Sequence, residues 1–429
     1  MGAELEAPLM GSGGVAQGTP IMGGVAVLAN TILGAGMLGL PFAFAACGFL
    51  VGPCMLLFFA CSSVTALLML AECADYAGRP ATFNSVAERA MPGSGVLIDV
   101  AVAIKCFGVA TSYLIVIGDS VPKSIVSLGG SGVLTDRHTW TLAALAFAAP
   151  LAYMKKITAL RNVSSAALGC VLAITVMVVL FAFDLGDALD ACPEEGANPM
   201  SCPPGPVVAV STPLATLRAL PLFVFSYTCH QNIFSITNEL RNPTRARNLS
   251  VAALAVGTAL CVYICLGSAG YLTFGSKVAH DILANYPSSN GIVAVARFAI
   301  SFVVMCCYPL QAHPTRACIT TIVKKACGGK ALNEDVVHYS ITTVFVLTTA
   351  SIALVVEDLG VVLSVVGATG STIVSYILPG LCYFLLFPKR GTRFVGLAVL
   401  IAGLTFMTVS LYLIFFGASA GHRRALASI

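Results

Sequence analysis

Apolar residues run through this chain in long blocks, and polar residues collect in the short gaps between them. A helix that crosses a bilayer needs about 20 mostly apolar residues. Eleven blocks come near that length: Gly23–Cys47, Val51–Cys73, Leu97–Val121, Trp140–Tyr153, Val163–Phe183, Leu214–Asn238, Leu249–Phe274, Gly291–Val323, Tyr339–Val356, Leu359–Phe387 and Phe394–Phe416. The pattern predicts an all-α, polytopic membrane protein with eleven transmembrane helices. The fourth block is short and has room to extend upstream. The eighth and tenth are long enough to tilt or to run on past the bilayer. Outside the blocks lie a Gly-rich tail over 1–20, expected to be disordered, and a short C-terminal tail over 417–429.

Composition agrees with the pattern. Of 429 residues, 58% are hydrophobic and 10% charged, against roughly 25% charged in ordinary soluble domains. Mean hydropathy is +0.92. A soluble fold would leave most of those apolar residues on its surface, and a lipid bilayer removes that cost. Net charge is +4, and the basic residues are scattered rather than gathered into a stripe. Nothing in the chain reads as a nucleic-acid footprint, and nothing calls for a cofactor. No basic n-region precedes the first apolar block, so a signal peptide is not expected. Glu6 breaks the myristoylation pattern that Gly2 begins.

Lysine and arginine placement sets the orientation. With the N-terminus in the cytosol and eleven crossings, the cytosolic connections carry 15 basic residues and the opposite side 7, with Lys105 inside the third block. The longest non-cytosolic loop, Asp184–Thr212, is acidic and holds Cys192 and Cys202. On an oxidising side these two are expected to pair, the alternative being two free thiols. The sequons at Asn162 and Asn248 fall at cytosolic helix ends and are expected to carry no glycan.

Two blocks carry helix-breaking or polar residues at membrane depth. The first holds Gly34, Gly36, Gly39 and Pro41 within two turns. The sixth follows Pro221 with Ser226, Tyr227, Thr228, Cys229, His230, Gln231 and Asn232. They lie five blocks apart. Transporters built from two inverted five-helix repeats place a discontinuous helix first in each repeat. The expected division is a first repeat over about 21–184, a second over about 212–387 and an added helix over about 394–416. Unwinding frees backbone N–H groups, which suit a carboxylate, and C=O groups, which suit an ammonium. An amino acid carries both. Gly and Pro also serve ordinary helix packing in membranes, the competing account of the first block.

These residues resemble the amino acid/auxin permease family of the amino acid–polyamine–organocation superfamily. The first block, Asn30 through Pro41, is similar to that family's opening pattern. The third, Lys105 through Asp119, is similar to fungal vacuolar amino acid transporters. Phe225 through His230 with Asn238-Glu239-Leu240, and Tyr308 through Arg316, are typical of the family. The resemblance runs from Gly23 to Phe416. It implies a ten-helix core of two inverted repeats with an eleventh helix, and alternating access around a site formed by helices 1, 3, 6 and 8. It implies substrate contacts at Asn30, Gly34, Ala35, Gly36, Lys105, Ser112, Phe225, Ser226 and Tyr227. Backbone at Gly34 to Gly36 would take the carboxylate, and carbonyls at Phe225 to Tyr227 the ammonium. It points to a vacuolar or lysosomal-type membrane, or the plasma membrane.

One departure bears on the coupling ion. The family's sodium-coupled neutral amino acid transporters use a threonine of helix 8 to hold sodium, near the helix 1 asparagine. Here Asn30 is present, but the helix 8 stretch reads Met305-Cys306-Cys307. Sodium is a hard cation and thiols are soft ligands. A degenerate sodium site at Asn30, Cys306 and Cys307 makes proton coupling the expectation, with sodium coupling the alternative. His230 is the proton-relay candidate, or else a plain hydrogen-bonding residue. Lys105 is either a fixed cation near the substrate or a snorkelling anchor. A transporter for another solute, an amino acid sensor and an intramembrane enzyme are the rivals. The short tails argue against the sensor, and the absence of an HExxH motif or paired carboxylates at membrane depth argues against the enzyme.

Overall fold

The computed structural model describes residues 18–154, 160–183, 190–192, 200–328 and 333–416, with only the backbone at 160–165. Most of the tail over 1–20, the tail 417–429, the loop acids Asp184, Asp187, Glu194 and Glu195, and the Asn162 side chain therefore lie outside the described residues.

Among the described residues the regular structure is helical, and the only β-type pairing is one isolated bridge between Thr19 and Leu240. In chain order the helices are α1 (Ile21–Ile32), α2 (Leu40–Cys47), α3 (Val51–Ala77), α4 (Phe83–Ala90), α5 (Gly95–Ser127), α6 (Arg137–Ala152), α7 (Leu160–Ala182), α8 (Pro213–Ser226), α9 (Ile233–Glu239), α10 (Arg245–Phe274), α11 (Gly291–Ala326), α12 (Glu334–Val355), α13 (Leu359–Val366), α14 (Leu378–Leu386) and α15 (Arg393–Phe415). Seven runs among the described residues are long and apolar enough to cross a membrane: α3, α5, α10 with the turn after it, α11, α12, the α13–α14 run and α15. The bent α1–α2 pair makes an eighth. The protein is a multi-spanning membrane protein.

Burial separates the posts from the rim. In α5, 83% of the apolar crossing window is buried inside the protein, and in α15 only 17%. α5 is thus a central post packed along α11, and α15 lies on the outer face. α5 begins two residues earlier and ends six later than the apolar block foretold, because Gly95 and the stretch from Pro122 to Ser127, broken by Pro122, Lys123, Ser124 and Ser127, are helical without being continuously apolar. Arg137 ties this post to its neighbours. Its guanidinium meets Asp119 at 2.7 Å and donates to the carbonyls of Ala353 and Val356 at the end of α12. The short helix α4 was not legible as a block. It starts on a capping box in which Thr82 and Ser85 satisfy each other's backbone N–H groups.

Between α13 and α14 the chain runs as a π-helix over Gly367–Ser371 and Ile373–Ile377. Two glycines explain why this wider coil fits. A Cβ on Gly367 would lie 2.1 Å from the Pro221 carbonyl, and one on Gly370 would lie 2.8 Å from Lys105 Cα. The π-helical run thus packs closely on both α8 and α5.

The long loop before α8 contains the disulfide Cys192–Cys202, with Cα atoms 5.6 Å apart. The free-thiol alternative does not hold. Arg297, counted above among the basic residues of that side, is in fact fully buried in α11. It donates to the carbonyls of Leu283 and Tyr286, pinning the short 3-10 turn Ile282–Ala284 between α10 and α11.

Candidate functional site

The first break is local and sharp. Leu33 leaves the helix at φ −80°, ψ 56°, Gly34 is extended at φ −104°, ψ −152°, and Ala35–Gly39 form a 3-10 turn. Pro41 then enters at the start of α2, where its missing N–H costs nothing. The axis turns by 47°. The second break follows Ser226. Tyr227 to Cys229 lie outside the helix, and a 3-10 turn over His230–Asn232 leads into α9.

The two breaks meet. A Cβ on Gly36 would lie 2.9 Å from the Phe225 ring and 3.3 Å from Ser226 Cα. Asn232 Nδ2 donates to Thr31 Oγ1 at 2.9 Å. The Tyr263 hydroxyl of α10 lies 2.6 Å from the Ile32 carbonyl and 2.8 Å from the Ser226 carbonyl. Those are the last residues of α1 and α8, so two negative helix ends converge on one point.

Beside the breaks lies a cavity. Thr31, Ile32, Gly34, Ala35 and Gly36 line it from the first break, Phe225 and Thr228 from the second. Lys105, Val109 and Tyr113 of α5 and Gln311 of α11 complete it. The cavity has a volume of about 10 Å³, room for about one water. A larger solute enters only if the walls move.

Lys105 is 1% exposed and has no carboxylate partner among the described residues. Entering ten residues along α5, it stands about 15 Å from the helix start. It does not snorkel. It lines the cavity, where an unpaired charge is costly unless a ligand neutralises it. Among the described residues, Gln311 Oε1, both ring nitrogens of His230 and both amide atoms of Gln231 are buried without hydrogen-bond partners.

Five residues named from the sequence line the cavity: Gly34, Ala35, Gly36, Lys105 and Phe225. Ser226 and Tyr227 are buried behind it; the Phe225 carbonyl accepts the Thr228 N–H, and the Tyr227 carbonyl faces the Ser63 hydroxyl. Ser112 lies outside the lining, its hydroxyl donating to Val109 C=O. Asn30 also lies outside it. Its amide nitrogen stands 3.7 Å from the Cys307 sulfur, while Cys306, one step round the helix, is only half-buried. His230 is fully buried beyond the second break. Thr31, Ile32, Val109, Tyr113, Thr228, Gln311 and Tyr263 were not singled out as site residues. Tyr263 had no local signal, since its block reads as an ordinary apolar helix.

Residues 17–421 match the family described as transmembrane amino acid transporter protein. The chain belongs to this family. Among similar members of the transporter family, vacuolar amino acid transporter 5 of Schizosaccharomyces pombe is 36% identical over 83% of this chain and 82% of its own length. Vacuolar amino acid transporter 6 of Saccharomyces cerevisiae is 33% identical over 91% of this chain and 98% of its own. Sodium-coupled neutral amino acid transporter 7 of Bos taurus is 31% identical, over 89% and 82%. The family and these members are transporters, not enzymes.

Proposed function

We propose that the protein is a secondary active transporter that carries amino acids across a membrane by alternating access, coupled to protons. The observation that carries this reading is the meeting of two interrupted helices at one cavity, five crossings apart in the sequence. In this reading the chain crosses eleven times with the N-terminus in the cytosol. The segments over about 21–184 and 212–387 are inverted repeats, and α15 is an addition. The membrane is of vacuolar or lysosomal type, or the plasma membrane.

The substrate carboxylate lies against the Gly34–Gly36 backbone and within reach of Lys105. Its ammonium lies against the carbonyls that end α1 and α8. Both wanted features are supported by the geometry: the Ala35 and Gly36 N–H groups that open the 3-10 turn after the extended Gly34, and helix ends whose negative poles converge. Closure of the walls on the substrate and their opening to the other side constitute one transport cycle. Proton coupling is supported by the thiol at Cys307 where an oxygen ligand would be needed, and by His230, a buried titratable group beside the second break. Sodium coupling is the second reading, supported by Asn30.

Purified protein in liposomes tests this. The expected result is uptake of some of a panel of amino acids, driven by an imposed pH gradient. No uptake of any of them under pH or sodium gradients would reject the reading.

A further inference from the structure

Tyr263 is fully buried, lies outside the cavity lining, and stands in a helix whose other residues look like packing. Its ring packs edge-on against Tyr227 at 5.3 Å. Its hydroxyl does something more specific. A tyrosine hydroxyl carries a single proton, yet this one faces two carbonyls, Ile32 at 2.6 Å and Ser226 at 2.8 Å. Ile32 C=O also accepts the Gly34 N–H at 2.9 Å. Ser226 C=O has no second donor among the described contacts. With the Tyr263 proton on Ser226, each helix-end carbonyl has one donor, Ile32 C=O keeping the Gly34 N–H. Each oxygen has a second lone pair, and both carbonyls carry the negative pole of a helix. A group with several N–H donors and a positive charge completes the set.

We propose that Tyr263 is a positioning residue for the substrate ammonium: its hydroxyl holds the carbonyls of Ile32 and Ser226 together across the two helix breaks, so that an α-ammonium entering as the cavity walls move meets the Ile32 carbonyl at the lining and the Ser226 carbonyl just behind it. This rests on the amino acid transport reading above. Tyr263 acts through the carbonyls, and the preformed pair spares the substrate the cost of bringing two helix ends into place.

The test compares two ligands that differ only in the ammonium. The labelled probe is whichever panel amino acid the unmodified protein takes up fastest in liposomes. The competitor is the matching 2-hydroxy acid, which keeps the carboxylate and side chain. Tyr263→Phe keeps the ring and its packing on Tyr227. It is expected to raise KM for the amino acid about tenfold, the scale of one hydrogen bond to a charged group. Vmax and the inhibition constant of the hydroxy acid are expected to stay within about twofold. Tyr263→His retains a ring N–H donor and should fall between, which keeps the comparison open if the phenylalanine variant is unstable. A hydroxy-acid constant that rises in step with KM, or an unchanged KM, would overturn the proposal and make Tyr263 a packing residue. Absence of any amino acid uptake by the unmodified protein overturns the transport reading itself, and this proposal with it.

Discussion

At the scale of single residues the break motifs were the most legible part of the site. Gly34, Gly36 and Pro41 cannot be read as good helix formers, and the helix does end at Ile32. The side chains around the break were less legible, because what matters is both the face and the depth they occupy on α5 and α11. Ser112 and Lys105 sit seven residues apart on nearly the same face of one helix, about 10 Å apart along its axis, and only Lys105 lines the cavity. The absence of a Cβ on Gly36 is what lets Phe225 and Ser226 approach. Gly36→Leu is therefore expected to abolish uptake while leaving a monodisperse detergent-purified protein. Uptake at normal affinity would move the site elsewhere. Lys105 is buried with no carboxylate partner among the described residues, so in the proposed reading its charge meets the substrate carboxylate. Lys105→Gln removes the charge at similar length and is expected to lower uptake at limiting substrate by at least about tenfold, the size of one charge-assisted contact. Near-normal uptake would mean that the carboxylate is held by backbone only.

At the scale of elements, blocks of apolar residues located the helices well, and their ends poorly. The ends of α5 are set by capping and packing rather than by hydropathy, and the eight residues of α4 are too few to show a period. The π-helical run before α14 was equally hidden, since it depends on Gly367 and Gly370 meeting Pro221 and Lys105 from distant parts of the chain. Arg297 shows the same limit. From sequence it counts as one more basic residue, and in the fold it is a buried fork holding two loop carbonyls. Arg297→Met leaves the carbonyls of Leu283 and Tyr286 bare, a loss of about 2–3 kcal/mol if one or two charge-assisted bonds are lost. Hydrogen exchange over residues 279–289 is expected to speed up in this variant while α5 stays protected. Unchanged exchange there would show that the turn is held by other contacts.

At the scale of the whole molecule, orientation and the driving ion depend on residues from distant parts of the chain. Asn248 cannot report orientation, because it is 4% exposed within α10 and no glycan could be accommodated on either side. The driving ion is better posed. Asn30 faces the Cys307 sulfur, and a thiol is a poor replacement for the oxygen that a hard cation needs. Lys105 lines the cavity together with Thr31, the residue after Asn30, and already places a positive charge there. A second cation about 5 Å away would be repelled by about 3 kcal/mol at an effective dielectric near 20, enough to weaken binding by about two orders of magnitude. Uptake is therefore expected to follow an imposed pH gradient and to be unchanged when choline replaces sodium. The same geometry yields a sharper result for a variant. Cys307→Thr restores a hydroxyl opposite Asn30, and with Lys105→Gln it also removes the repelling charge. If the missing oxygen and the fixed cation together exclude sodium, the double variant gains sodium-dependent uptake that neither single change produces. Uptake that saturates with sodium in the unmodified protein would refute proton coupling and assign Asn30 to a sodium site built without a hydroxyl from position 307.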